Sequence, residues 1–205
     1  MKKIFVVGDS ISIQYGPSLE KYLQGMMLYS RKEGTEEALK NLDIPQGANG
    51  GDSSMVVAYL KAKQQDGGIN ADYLLVNCGL HDIKINPETG IKQVSIEQYK
   101  ENLSQIIVLA KAMKLLLIWI NATPCDEAVH NREGMNFHRF AVDVITYNKT
   151  AKKIMSDANI SIIDLYNFTM NLGDKEIYCD HVHFIKAVRK KQAAFIAGWL
   201  NTLAQ

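Results

Sequence analysis

Short runs of nearly continuous apolar residues alternate along the chain with longer stretches in which apolar residues return every three or four positions. Residues 3–7 form the first run and end in Gly8-Asp9-Ser10. Residues 73–77, 115–120 and 160–165 repeat the pattern, each closed by polar or turn residues. Unbroken rather than alternating apolarity predicts strands covered on both faces, as in a parallel sheet. Between the runs, Pro17 suits a first helical position, with Leu19, Tyr22, Leu23, Met26 and Met27 following on one face. Asp52 or Ser53 is placed to cap a second helix that turns Met55, Val56, Tyr59 and Leu60 inward. Ser95 with Gln98 reads as a capping box ahead of the stripe Ile96, Tyr99, Leu103, Ile106, Ile107 and Met113. A fourth stripe runs from Phe137 and Phe140 through Val144, Tyr147 and Ala151 to Ile154, and a last one from Phe195 to Leu203.

This alternation predicts a three-layer α/β/α sandwich, flavodoxin-like, on a mostly parallel sheet of about five strands. Residues 29–47 should hold a second strand but show no clear period. The polar stretch 124–135 reads as a long loop at the rim of a site.

The 205 residues suffice for one domain, 1–205, and scarcely for two. Twenty-three Lys and Arg balance 22 Asp and Glu to a formal charge of +1, with no basic block to follow a phosphate backbone, so nucleic acid is excluded as a partner. The longest apolar runs fall far short of the roughly 18 residues of a membrane span. Residues 4–7 are too short for the core of a signal peptide. Three cysteines, Cys78, Cys125 and Cys179, form no disulfide framework and favour a reducing compartment, which makes the cytoplasm the expected location.

Ligands of open α/β sheets bind beyond the carboxyl ends of the strands. Three reactive clusters fall there: Gly8-Asp9-Ser10 after the first run, Gly79-Leu80-His81-Asp82 after the second, and Asp180-His181-Val182-His183 ahead of the last helix. A serine becomes nucleophilic only beside a base, and that base needs a carboxylate to fix its tautomer and stabilise its cation. Asp180 and His183 on one short loop supply both groups.

Gly8-Asp9-Ser10-Ile11, Gly51 within Asn49-Gly50-Gly51-Asp52-Ser53, Gly79-x-x-Asp82 and Asp180-x-x-His183 together resemble the SGNH hydrolases, the GDSL-type esterases and lipases, over essentially the whole chain. The resemblance implies a serine esterase that needs no cofactor and acts on a small-molecule ester, with acetyl on a sugar as one candidate. It assigns Ser10 as nucleophile, His183 as base and then acid, and Asp180 as the residue orienting it. The backbone N–H groups of Ser10 and Gly51 are implied as two donors of the oxyanion hole. The third donor departs from the family pattern, because His81 stands where the family carries asparagine. An imidazole still offers an N–H, so His81 is the expected replacement. Phe184 likewise stands where proline is common. The chain is short for a lid domain, which predicts an open site.

Two other readings compete. A chain weakened by His81 would be a binding protein that keeps the fold without turnover. His181 and His183 with Asp9, His81, Asp82 and Asp180 also assemble on paper into a metal cluster of the phosphoesterase kind, although no Asp-x-His follows the first strand. Asp9 and Asp82 read as loop-organising carboxylates. His130, Arg132 and His138 flank the 124–135 loop as possible substrate contacts, and Cys78 reads as a buried small hydrophobe.

Overall fold

A computed structural model describes residues 1–132 and 134–203. Five parallel strands, β1 (Lys2–Val7), β2 (Met27–Arg31), β3 (Tyr73–Val76), β4 (Leu116–Ile120) and β5 (Ser161–Ile163), form one sheet in the order β2-β1-β3-β4-β5. The apolar runs became its centre. Ile4, Val7, Leu74, Leu75, Val76 and Trp119 are fully buried, and β1 and β3 pair in register from Ile4–Tyr73 to Val7–Val76. The chain steps from β1 to β2 on one side and returns to β3 on the other, so the ends of β1 and β3 diverge at a switch point where a crevice opens.

Eight helices flank the sheet among the described residues. The helix α1 (Ser10–Tyr22) packs on α8 (Lys186–Asn201), which also meets α7 (Leu165–Met170). A second group is formed by α3 (Ser53–Gln65) on α4 (Ile96–Ala112), and α4 on α6 (Ala141–Asp157). Two short helices, α2 (Thr35–Lys40) and α5 (Glu127–His130), lie in connections.

Several boundaries differ from the sequence pattern. Pro17 lies inside α1 rather than at its start, because Asp9 Oδ1 caps the Ile11 and Ser12 N–H groups and begins the helix seven residues earlier. Met27 opens β2 instead of closing a helix. The strand was obscured because it is a sheet edge, with Leu28 and Ser30 outward and only Met27 buried. Phe137 and Phe140 precede α6, which starts at Ala141. Ser95 Oγ accepts from the Gln98 N–H as a cap should, but the Gln98 side chain turns to Glu101 and Asn102, so the box is half made. No helix among the described residues is long and apolar enough to cross a membrane.

Candidate active site

The turn after β1 presents Ser10 at the first position of α1, where a backbone N–H has no acceptor within the helix. Asp9 occupies the next two N–H groups, which leaves the Ser10 N–H as the unclaimed donor at this helix end. The turn is tight. A Cβ on Gly8 would lie 2.9 Å from Ser12 Cβ, so the chain can pass here only as glycine. The Gly8 carbonyl receives the Gly50 N–H at 2.8 Å and fastens the 49–51 turn beside the start of α1.

Across the crevice, the loop before α8 folds on itself through Asp180, whose Oδ1 accepts the Val182 and His183 N–H groups at 2.9 and 2.7 Å. Its other oxygen stands 2.7 Å from His183 Nδ1, and His183 Nε2 stands 2.8 Å from Ser10 Oγ. An ionised carboxylate only accepts, which assigns the imidazole proton to Nδ1 and leaves Nε2 to receive the Ser10 hydroxyl proton. Burial of Asp180 opposes its charge, but the His183 ring and the two backbone donors outweigh it and hold the carboxyl well below its ordinary range. Ser10 and His183 are 6% and 2% exposed.

The third cluster turns at the end of β3. Asp82 is fully buried and reaches the start of α3, where its carboxylate accepts the Ser53 N–H and hydroxyl. Burial pushes its carboxyl up to about 7 against those donors. Asp82 thus ties the 79–82 turn to the 49–53 turn, as a loop-organising carboxylate should. His81 is buried beside it, its ionisation pushed well below the ordinary value by burial first and by the Lys84 and Arg139 charges second, so its ring is neutral.

Gly51 adopts φ +70°, and a Cβ there would fall 2.5 Å from Met55 Sδ and 2.9 Å from Pro45 Cβ. Its N–H donates to Asn49 Oδ1 at 3.0 Å. The implied second oxyanion donor is therefore engaged within its own turn, unlike that of Ser10.

The site is not open. Asp43 reaches over from the connection after α2 and stands 3.3 Å from His181 Nε2, while its carbonyl accepts from Lys84 Nζ at 3.1 Å. The His181 contact holds the Asp43 carboxyl below its usual range. The groups expected to line an open site are instead nearly buried, Ser10, His81 and His183 being 6%, 4% and 2% exposed. Arg139, 2% exposed, is a buried charge that the sequence did not single out beside His130, Arg132 and His138. His130 is buried against Arg139, His138 pairs through its backbone with Ile85, and Arg132 points into solvent. No residue pattern marked Arg139, which stands in the mixed stretch Asn136-Phe137-His138-Arg139-Phe140.

The paper metal cluster is dispersed. Asp9 caps α1, Asp82 binds Ser53, Asp180 binds His183 and His181 faces Asp43, and among the described residues no three such groups converge on a cation position.

A model of the GDSL-like lipase/acylhydrolase family matches residues 4–196. The chain belongs to that family. It is an ester-bond hydrolase, and solved structures of the same fold accompany it. A lipase/acylhydrolase from Enterococcus faecalis superposes with a TM-score of 0.64 at 16% identity, covering 98% of this chain and 96% of its own. The acetyl xylan esterase AlAXEase gives 0.70 at 15% identity, with 97% and 99% covered. An esterase from Pseudoalteromonas sp. gives 0.62 at 15%, with 98% and 100% covered. A comparison with curated proteins finds no match. In this acylhydrolase the turn before Ser10 is joined to the 49–51 turn through Gly8 and Gly50, the 49–53 turn to the 79–82 turn through Ser53 and Asp82, and Ser10 to the last loop through His183.

Proposed function

We propose that this acylhydrolase is a serine esterase working through an acyl-enzyme on Ser10, with small acyl groups, acetyl on a carbohydrate among them, as its substrates. The continuous chain of contacts from Asp180 Oδ2 to His183 and on to Ser10 Oγ, 2.7 and 2.8 Å, carries this reading. Ser10 Oγ attacks the ester carbonyl as His183 Nε2 takes its proton, and Asp180 stabilises the imidazolium. The carbonyl oxygen becomes an oxyanion facing the Ser10 N–H and the neutral His81 ring, with the Gly51 N–H available once it exchanges Asn49 Oδ1 for the stronger acceptor. His183 then protonates the departing alcohol. Water repeats the sequence on the acyl-enzyme and releases the acid.

The small acyl group is supported by burial: Ser10 is almost buried, and both Asp43 and the Asp126 N–H contact His181, two residues from His183. A fluorophosphonate probe tests the reading directly. Labelling at Ser10, together with a burst of p-nitrophenol from the acetate ester, is the expected result. Folded protein that is neither labelled nor active on that ester would overturn it.

A further inference from the structure

An arginine is expensive to bury without a carboxylate beside it, and structures that do so hold it by hydrogen bonds and by aromatic faces. Arg139 is such a residue. It is buried, and among the described residues no carboxylate lies within ion-pair distance of it. Its Nε donates to the Leu80 carbonyl at 2.6 Å and its Nη1 to His130 Nε2 at 2.9 Å, while the guanidinium lies 4.9 Å from the centre of the Phe137 ring. Because Arg139 only donates, the His130 proton belongs on Nδ1, and burial together with the Arg139 charge pushes the His130 ionisation down to about 4. His130 therefore adds no charge. The Arg139 backbone is fixed as well, with Asn131 Oδ1 accepting its N–H and Asn131 Nδ2 donating to its carbonyl, 2.9 and 2.7 Å.

Every one of these contacts determines where the guanidinium sits, and its anchor decides what it does. The Leu80 carbonyl belongs to the peptide bond from which His81 hangs. Holding that carbonyl fixes the peptide plane and hence the direction in which the His81 side chain leaves the backbone. The Asp43, Asp9 and Asp180 carboxylates act on Arg139 only through space, and Asp9 and Asp180 adjoin Ser10 and His183. The charge thus lies within electrostatic reach of the position where an oxyanion forms, and it does so in a low-dielectric interior.

We propose that Arg139 is the positioning residue of the oxyanion site: it aims His81 through the Leu80 carbonyl and sets a positive charge behind it, so that an imidazole serves where the family carries a carboxamide. An imidazole is larger than a carboxamide and carries its N–H at a different distance from Cα, and a donor misplaced by about 1 Å loses much of its effect. Replacing the asparagine therefore calls for a device that orients the ring, and Arg139 is built as one. The inference rests on the esterase reading above, since it gives Arg139 a role only in a reaction that creates an oxyanion.

The test compares Arg139→Gln and Arg139→Lys with the parent on p-nitrophenyl acetate, and measures binding of a non-covalent phosphonate mimic of the oxyanion. Arg139→Gln should lower kcat by about 10- to 100-fold with KM within about threefold, and weaken the mimic by the same factor as kcat. Arg139→Lys should recover part of the loss, because it returns the charge and one donor without the planar fork. A double-mutant cycle gives the readout that a structural role would not move. In a His81→Ala background the Arg139→Lys effect should shrink to within about twofold. Independent, multiplicative losses in that cycle, or parallel rises of KM with the mimic unaffected, would overturn the inference. If Arg139→Gln does not fold, Arg139→Lys and the cycle decide alone. Parent protein inactive and unlabelled would instead defeat the esterase reading, so the two failures are told apart.

Discussion

His183 Nε2 stands 2.8 Å from Ser10 Oγ although 173 positions separate the two residues, while its other nitrogen is held by Asp180 three residues away. The proposed base is thus oriented locally and delivered to the serine by the fold. Ser10→Ala should abolish fluorophosphonate labelling and the burst of alcohol release. Asp180→Asn keeps an oxygen for the Val182 and His183 N–H groups but loses control of the tautomer, and should lower kcat on the order of 10⁴-fold. A folded Asp180→Asn protein retaining a tenth of the parent turnover would contradict the assignment.

Burial and the Lys84 and Arg139 charges hold the His81 ionisation well below the ordinary value, so in the proposed mechanism it donates as a neutral ring. Removing the donor by His81→Ala should cost about 100- to 1000-fold in kcat. Restoring a carboxamide by His81→Asn should leave activity within about tenfold. Because the parent ring does not titrate in the working range, the pH–rate profiles of the parent and of His81→Asn should superimpose. A shifted acid limb in the variant would show that His81 ionises during turnover.

The Asp180 carboxyl titrates lower in the fold than when unfolded, where its ordinary value is 3.8. Its ionised form therefore stabilises the fold fully above that value, and the contribution disappears as pH falls below it towards the folded value. Side-chain exposure of 44% screens the interaction, so the effect should be modest. Urea midpoints measured near pH 3 and pH 6 should differ more for the parent than for Asp180→Asn. Equal differences would place the acid sensitivity elsewhere.

Asp82 is fully buried, and Ser53 gives it both a backbone and a hydroxyl donor. Asp82→Ala strands both donors and should destabilise the protein by about 1–3 kcal/mol, read from urea denaturation. Asp82→Asn keeps an acceptor for the Ser53 N–H and should cost less. The order of the two variants is the check: reversal would mean that the charge, rather than the bonds, holds the turn.

Asp43 closes the crevice through His181 and Lys84. Asp43→Ala should loosen the His181 side of that closure and raise kcat/KM on p-nitrophenyl butyrate relative to the acetate. An unchanged ratio between the two esters would mean that acyl size is limited deeper in the site.

The sheet was legible in the sequence because its strands are buried on both faces and written as unbroken apolar runs: Ile4 to Val7, Tyr73 to Val76 and Leu116 to Ile120 needed no partner to be recognised. The edge strand β2 was not, since an edge strand exposes every second side chain and resembles a loop. Ser10, Asp180 and His183, which the fold brings within hydrogen-bonding distance, were legible through the short motifs that carry them. Gly51 was expected from its place before Asp52-Ser53, but the sequence could not reveal that Asn49, two residues earlier, takes up its N–H in a local turn. Arg139 was missed for a related reason. Its role depends on the Leu80 carbonyl, 59 residues away, and a contact between an arginine and a backbone oxygen leaves no trace in residue type.

The packing of α1 against α8 has a consequence for how activity appears. Ser10 opens the first helix and His183 stands just ahead of the last, so nucleophile and base share one address only after both extremities of the chain have docked on the same face of the sheet. During synthesis the serine emerges early and waits, chemically ordinary, until the final helix is added. In the proposed mechanism the recovery of hydrolysis after dilution from urea should therefore trail the return of sheet structure whenever α8 is the last element to seat.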